Sequence, residues 1–186
     1  MKKIFVFSIK ALVVFSLLFA LACGKSDKVK LKIGQLHQGG IIFYLDETGK
    51  HGLIAAPEDQ TTSTGIQWYN GSYIETGATG RAIGTGKSNT TKIVQAQGNG
   101  SYAARLCDGL VLNGYSDWFL PSKDELNELC INKEAIGGFS DGIYWSSSER
   151  ITNEADETAW GQFFGTGYQG NDYISSAHRV RAVRAF

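Results

Sequence analysis

The stretch that most constrains the fold runs from Asp117 to Leu126, where an extended segment ends at a proline and a helix begins. Ser122 and Glu125 have the spacing of a capping box, in which the serine hydroxyl accepts from the glutamate N–H and the glutamate carboxylate accepts from the serine N–H. Pro121 has no N–H, so it suits the point where the chain leaves extended geometry. Apolar residues then recur with helical spacing at Leu126, Leu129 and Cys130. The stretch predicts a strand followed by a capped helix with one buried face.

The first 22 residues have the composition of an export signal. Its positive charges are Lys2, Lys3 and Lys10. The apolar run from Ala11 to Ala22 is shorter than the ~20 residues of a membrane-spanning helix, and it ends at Ala20-Leu21-Ala22-Cys23. This ending resembles the cleavage site of a bacterial lipoprotein, which implies that Cys23 carries the lipid and becomes the new N-terminus. Gly24, rather than an aspartate, follows the cysteine and favours the outer membrane.

We therefore predict a signal peptide over residues 1–22, a lipidated, lysine-rich tether over residues 23–36 and one folded domain over residues 37–186. The predicted location is the bacterial outer membrane or cell surface, with the lipid as the membrane anchor. An ordinary secretory signal and a retained membrane anchor are the alternatives for the N-terminal segment.

The neutral charge of the whole chain hides an acidic domain. Seven of the 18 lysine and arginine residues precede Ile33, whereas only one of the 18 acidic residues does, so the rest of the chain has a net charge of −6. Nucleic-acid binding depends on a basic patch. The composition therefore predicts no nucleic-acid partner and argues against a general polyanion-binding surface.

The pattern of apolar residues predicts a β-hairpin, helices, further strands and a long polar loop. The expected strands cover residues 39–45, 51–56, 142–148, 158–164, 173–177 and 179–186, with a tip over residues 165–172. A helix is expected over residues 91–110, capped by Asn89 or Thr90 and loosened near Gly98, before the capped helix over residues 122–131. The loop from Glu58 to Thr91 is rich in small polar residues, and loops of this length are usually functional.

Two cysteines remain in the predicted domain, Cys107 and Cys130. An exported compartment permits a disulfide between them. Each also shares a helical face with apolar residues, as buried free thiols do. Both alternatives stay open from the sequence.

Aromatic residues in polar loops are the clearest candidates for ligand contact, and they are Trp68, Tyr69, Tyr73 and Tyr168. The alternative for these residues is packing of the loops on themselves. Arg179 and Arg181 share a strand face and offer an anion-binding surface. The alternative for the arginines is pairing with carboxylates such as Asp117 or Glu125. Three other tryptophans lie in strand-like segments and are expected in the core: Trp118, Trp145 and Trp160.

The sequence offers no catalytic set and predicts neither a metal nor a cofactor. The histidines His37, His51 and His178 are far apart, and the serines 146–148 lack the glycines of a nucleophile elbow. The segment 84–88 lacks the earlier glycine of a phosphate-binding loop and is interpreted as a turn. A loop that carries Glu149, Glu154, Asp156 and Glu157 has the ligands for a hard cation, although a solvated loop is the favoured interpretation.

Several of these segments together resemble one known family. They are the opening hairpin over residues 39–56, the signature over residues 114–126, the aromatic strands around residues 144–148 and 159–160, and the closing segment 179–184. The family is the Lcl C-terminal-domain-like group, a domain of unknown function in bacterial surface lipoproteins and in a collagen-like adhesin. The resemblance covers residues 37–186. It implies a C-type-lectin-like α+β domain with long loops and with two helices packed on small antiparallel sheets, and a role in binding or adhesion at the cell surface.

The sequence therefore favours a surface lipoprotein that binds an extracellular carbohydrate or protein and is not an enzyme. The alternative is a non-catalytic structural or assembly component of the cell envelope. Formylglycine-generating enzymes share the implied fold class, but their activity needs exposed reactive cysteines, whereas Cys107 and Cys130 lie on apolar helical faces. The oligomeric state is not predicted.

Overall fold

The computed structural model of the protein describes residues 30–151 and 157–186. These residues form an α+β structure, in agreement with the predicted class. The strands are β1 (Leu36–His37), β2 (Gly40–Leu45), β3 (Gly52–Ala55), β4 (Ile143–Arg150), β5 (Thr158–Phe163), β6 (Tyr168–Tyr173) and β7 (Val183–Ala185). The helices are α1 (Gly86–Gln97), α2 (Ala103–Asp108), α3 (Lys123–Ile131) and α4 (Lys133–Ile136). The predicted signal peptide and Cys23 lie outside the described residues.

The first sheet joins the N-terminal part of the domain to the C-terminal end of the chain. Its strand order is β1-β2-β3-β7, and every pair is antiparallel. Strands β2 and β3 form the predicted hairpin, with Gly49 in the turn at φ +64°, a left-handed conformation that glycine adopts at little cost. Ile54 of β3 lies opposite Arg184 of β7, so the C-terminal strand is held in the sheet as predicted.

Residues that precede the predicted domain start at residue 37 contact the core. Leu31 and Ile33 pack against the core, and the N–H of Gly34 donates to the carbonyl of Ile42 (2.8 Å). The lysines of this segment indicated a solvated tether. Its two apolar side chains alternate with those lysines, however, and the folded domain gives them an apolar surface to cover.

The second sheet has the order β4-β5-β6 and is also antiparallel. The predicted tip over residues 165–172 is wrong, because the turn closes at Gly167 and a strand follows at once. Gly167 has φ +80°, and its N–H donates to the carbonyl of Phe163 (2.8 Å). This tight turn places Tyr168 directly opposite Phe163. Of the glycines that indicated a loop, Gly165 and Gly167 lie in this turn, whereas Gly170 lies within the strand.

The predicted long helix is two shorter helices. Helix α1 begins at Gly86, ahead of the expected cap. Asn89 and Thr90, the two residues expected to cap it, are buried inside the helix. Thr90 Oγ1 accepts from the N–H of Leu120 (3.0 Å), so its hydroxyl serves a tertiary contact. The break near Gly98 is confirmed, and Gly98 there has φ +70°. The structure therefore has four helices within the described residues, two of them short, where two were expected.

The capping box is confirmed, and it also fixes the long loop. The N–H of Ser122 donates to Glu125 Oε2 (2.7 Å), and the N–H of Glu125 donates to Ser122 Oγ (3.3 Å). Glu125 Oε1 accepts from the N–H of Gly84 (2.7 Å), and the Ser122 hydroxyl donates to the carbonyl of Ala82 (3.0 Å). Burial raises the pKa of the fully buried Glu125, while hydrogen bonds from Ser122, Gly84 and Gly86 oppose that rise.

The segment before α3 lies between the two sheets and is not the regular strand that was expected. Phe119 alone pairs with Val183 of β7. Two residues later, the carbonyl of Pro121 accepts from the N–H of Ser147 of β4 (2.7 Å). This segment therefore connects the first sheet to the second through backbone hydrogen bonds.

The core consists of two apolar clusters that the first sheet separates. Because side chains alternate along a strand, Ile42 and Ile54 belong to one cluster, whereas Phe43 and Leu53 belong to the other. Two of the three tryptophans predicted in the core, Trp118 and Trp145, lie in the first cluster. The third prediction is wrong, since Trp160 is only half-buried and belongs to neither cluster.

Gly86→Ala should destabilise the domain, because the new Cβ would lie 2.2 Å from Glu125 Oε2 and 2.8 Å from the N atom of Ser122. We expect the free energy of unfolding to fall by about 1–3 kcal/mol, the usual cost of overpacking. Gly109→Ala is the control, since its Cβ would meet only the carbonyl of Arg105 at 3.2 Å. Urea denaturation measures both, and equal losses would contradict a specific clash at Gly86.

Glu125→Gln should remove a titration that makes the protein less stable as the pH rises. Because the pKa of Glu125 is raised by burial, the native state binds more protons than the unfolded state between the unfolded and native pKa values. The contribution of Glu125 is thus complete below the unfolded pKa and is lost as the pH rises through the native pKa. We expect the wild-type free energy of unfolding, minus that of the variant, to fall as the pH rises above about 4, the ordinary pKa of an unfolded glutamate. A rise of this difference in urea denaturation would contradict the raised pKa.

Candidate functional site

A groove crosses one face of the second sheet. Residues directly opposite each other in the sheet share a face, so Ile143, Phe163 and Tyr168 form one row across the three strands. The next row on the same face contains Gly161 and Gly170. Because these glycines have no side chains, the surface is lower at the second row, and the glycines form the floor of a depression. The depression has a volume of about 110 Å³.

The groove continues beyond β4. Ile143 and Phe163 also line a second depression of about 350 Å³, which extends to His178, Arg179 and Ser63. The two depressions adjoin each other at Ile143 and Phe163, which line both. We call the two depressions together the sheet groove.

Two aromatic rings of the sheet groove lie against glycines. A Cβ atom at Gly170 would be 2.9 Å from Tyr168 Cε1, so the tyrosine ring passes over that glycine. A Cβ atom at Gly165 would be 2.7 Å from Phe163 Cζ. The side of the Tyr168 ring that faces away from the strand is open to solvent, since Tyr168 is 72% exposed. Glycine at position 170 thus leaves room for the Tyr168 ring beside the strand, with much of the ring facing solvent.

Hydrogen-bonding groups lie at one end of the sheet groove. His178 Nε2 lies 2.8 Å from Asp172 Oδ2, and the other carboxylate oxygen accepts from the N–H of Tyr173 (2.7 Å). The His178 ring also packs on the indole of Trp145, with ring centroids 4.3 Å apart. These contacts fix the imidazole in place.

The structure brings two of the sequence-predicted ligand residues, Tyr168 and Arg179, to the sheet groove. Arg179 Nη1 lies 3.5 Å from Asp59 Oδ2, so its charge is paired. Tyr73 is exposed but lies elsewhere, near Glu149; burial and then that carboxylate raise the pKa of its hydroxyl. Tyr69 is half-buried against the core, which is the loop packing named as its alternative.

Trp68 is not available to a ligand, and its predicted exposure is wrong. It is 1% exposed, and its indole N–H donates to the carbonyl of Ser146 (2.8 Å). Its backbone N–H donates to the carbonyl of Ile174 (3.0 Å). The polar composition of the loop indicated a surface location, but the loop folds back over the second sheet and uses this indole as its anchor.

Arg181 does not form an anion-binding surface either. Its side chain is fully buried, and its guanidinium donates to Asp59 Oδ1 (2.8 Å) and to the carbonyls of Ala56 and Gly138. The pairing that the sequence offered as an alternative is thus correct in kind, although the partner is Asp59. Asp117 instead pairs with Arg184.

The two cysteines are free thiols, so no disulfide links Cys107 to Cys130. They belong to different apolar clusters, one on each side of the first sheet. Burial raises the pKa of both thiols, which keeps them protonated and unreactive. The apolar helical faces were the informative signal for these residues.

The acidic loop is only partly described, since Glu154 and Asp156 lie outside the described residues. Glu149 is buried, and its Oε2 accepts from the N–H and the hydroxyl of Thr76 (3.0 and 2.7 Å). In the described part of the chain, no three His, Cys, Asp or Glu side chains converge in a way that would hold a metal ion. Among residues 30–151 and 157–186, no helix has the length and apolar character needed to cross a membrane.

Sequence reasoning missed Phe163, Asp172 and His178 as members of this site. One signal was present: the pattern Tyr168-x-Gly170-x-Asp172 alternates with period two, as residues on one face of a strand do. The glycines concealed it, because they favoured a loop. Nothing in the sequence places His178 beside Asp172.

The comparison with protein families decides the identity of the domain. The model of the Lcl C-terminal domain matches residues 59–184. The chain belongs to this family. A comparison with curated proteins gives no significant match. The Lcl C-terminal domain match begins after the β2–β3 hairpin and contains every residue of the sheet groove.

Proposed function

We propose that this protein is a bacterial surface lipoprotein whose Lcl C-terminal domain binds an extracellular carbohydrate in the sheet groove, in an adhesion-type role. The proposal is of a binding protein rather than an enzyme. It includes the finer assignment of the α+β structure to the C-type-lectin-like fold, which the family resemblance implies.

The observation that carries the proposal is the exposed ring of Tyr168 against Gly170, with the Asp172–His178 pair beside it. A sugar ring has an apolar face of C–H groups and a rim of hydroxyls. Aromatic rings bury the first, and fixed polar groups bond the second. The sheet groove presents both kinds of contact on one rigid sheet, so little conformational freedom is lost on binding.

A second candidate function is that of a structural or assembly component of the cell envelope. It is favoured by β6, which is the last strand of its sheet. Tyr168 and Tyr173 are both exposed on this strand, and exposed edge strands are templates for pairing with another chain. A stoichiometric protein partner that co-purifies from membranes would favour this candidate.

Tyr168→Ala should weaken carbohydrate binding by about tenfold or more, because it removes the stacking platform. Gly170→Ala should have a similar effect, because the new Cβ would displace the ring. Tyr173→Ala is the matched control, since Tyr173 is 63% exposed on the same strand and alternation places it on the opposite face. A glycan array identifies ligands, and isothermal titration compares the variants. Equal losses for Tyr168→Ala and Tyr173→Ala, or no ligand across a broad array, would argue against the proposal.

Cys23→Ser should abolish lipid attachment, because the thiol is the only group of the predicted cleavage site that accepts a diacylglycerol. Growth with a clickable palmitate analogue followed by in-gel detection should label the wild-type chain and leave the variant unlabelled. Cys107→Ala serves as the control and should keep the label. Label retained by Cys23→Ser would rule out the proposed lipid anchor.

A further inference from the structure

The face of the second sheet opposite the sheet groove has a different chemistry. Trp160 pairs with Asn171 across β5 and β6, next to the glycine row of the groove. Adjacent residues of a strand point to opposite faces, so Trp160 projects away from the groove. There the guanidinium carbon of Arg81 lies 5.0 Å from the centre of the indole ring, and Lys123 Nζ lies 4.9 Å from it.

The two cations are not equally neutralised. Lys123 Nζ donates to Gln169 Oε1 (2.9 Å) and lies 3.9 Å from Asp124 Oδ1. Arg81 is exposed and forms no ion pair with any part of the described chain. Two like charges thus share one aromatic ring, and among the described residues only the Asp124 carboxylate forms an ion pair with either of them. The cluster keeps about one uncompensated positive charge on a domain that is acidic overall.

The indole N–H of Trp160 is also without a partner. The other three tryptophans donate to backbone carbonyls of Ser146, Tyr115 and Ile66. Trp160 Nε1 is buried and has no hydrogen-bond partner within the described residues. Buried polar groups are nearly always hydrogen-bonded, so this group marks a place where an acceptor is missing.

The N-terminus of α3 does not account for this cluster, because its free N–H groups are already used. The N–H of Lys123 donates to Ser148 Oγ (2.9 Å), that of Asp124 donates to the carbonyl of Arg81 (2.9 Å), and that of Glu125 donates to Ser122 Oγ. Any anion in this region would therefore be held by the side chains.

We propose that Arg81, Lys123 and Trp160 form a second binding site, which takes the carboxylate of an acidic sugar. A carboxylate carries the single negative charge that the cluster leaves unmatched, and it presents the coplanar oxygens that a guanidinium binds as a fork. The exposed side chain of Asn171 lies on the same face and offers a hydrogen bond to the sugar ring. The choice of a sugar rests on the proposed function, whereas the anion site itself does not.

The test is an NMR titration of the ¹⁵N-labelled full-length chain in detergent with D-glucuronate, D-glucose and sodium sulfate. Each tryptophan gives one indole N–H signal, and Trp160→Phe identifies the signal of Trp160. We expect glucuronate to shift the Trp160 signal and to leave the signals of Trp68, Trp118 and Trp145 in place. High salt should suppress the shift, because it depends on charge.

Arg81→Gln and Lys123→Gln should each weaken the glucuronate response by about tenfold. Arg105→Gln is the matched control, since Arg105 is a partly exposed arginine on α2 that pairs with Asp108. An unmoved Trp160 signal, an equal response to glucose, or a stronger response to sulfate than to glucuronate would overturn the carboxylate site. So would full retention of the response in Arg81→Gln and Lys123→Gln.

The same spectra separate this inference from the proposed function. The backbone amides of Gly161 and Gly170 report on the sheet groove. A carbohydrate response at those amides without one at Trp160 would refute the carboxylate site alone. A response at Trp160, with sheet-groove amides that stay silent to every carbohydrate tested, would support the site and count against the groove.

Discussion

The carboxylate of Glu125 is fully buried, and its two oxygens accept hydrogen bonds from two segments that are far apart in the sequence. One is the start of α3 at Ser122, and the other is the long loop at Gly84. An unpaired charge at this depth would be strongly unfavourable. The backbone N–H groups offset that cost only if both segments are in place. Glu125 therefore makes the loop position and the helix start depend on each other, and the connection between the two sheets runs through the same junction.

The second sheet shows how one set of strands supports two surfaces of different chemistry. Period-two alternation along β6 sends Tyr168, Gly170 and Asp172 to the sheet groove, and sends Asn171 and Tyr173 to the face that carries Trp160. The first surface is apolar with a polar end, and the second is cationic and aromatic. Only one face of this sheet is partly covered by the long loop, whose anchor is Trp68.

Local patterns were read correctly where the interaction itself is local. The capping box joins residues three apart, and the β2–β3 hairpin needs only a short turn with Gly49, so the sequence holds all the information. The errors occurred where partners are distant. Trp68 was placed at the surface from the polar composition of its loop, and Arg181 from its sharing a strand face with Arg179, but Ser146 and Asp59 receive them in the fold. Trp160 was placed in the core from its strand pattern, because nothing in the sequence brings Arg81 and Lys123 to its ring.

By itself, the sequence determined the α+β class, the hairpin, the capped helix and the family, because each depends on short-range spacing or on motifs in linear order. It also predicted an exported, lipid-anchored chain from the segment that ends at Cys23. Only the tertiary structure decided which aromatic residues are exposed, which arginines are paired and which side chains share a surface. The physical reason is burial: whether a side chain lies in water or against apolar groups depends on segments that pack over it from elsewhere in the chain. Gly170 of β6 illustrates this, since its sequence context favours a loop while its packing beside Tyr168 makes it part of the floor of the sheet groove.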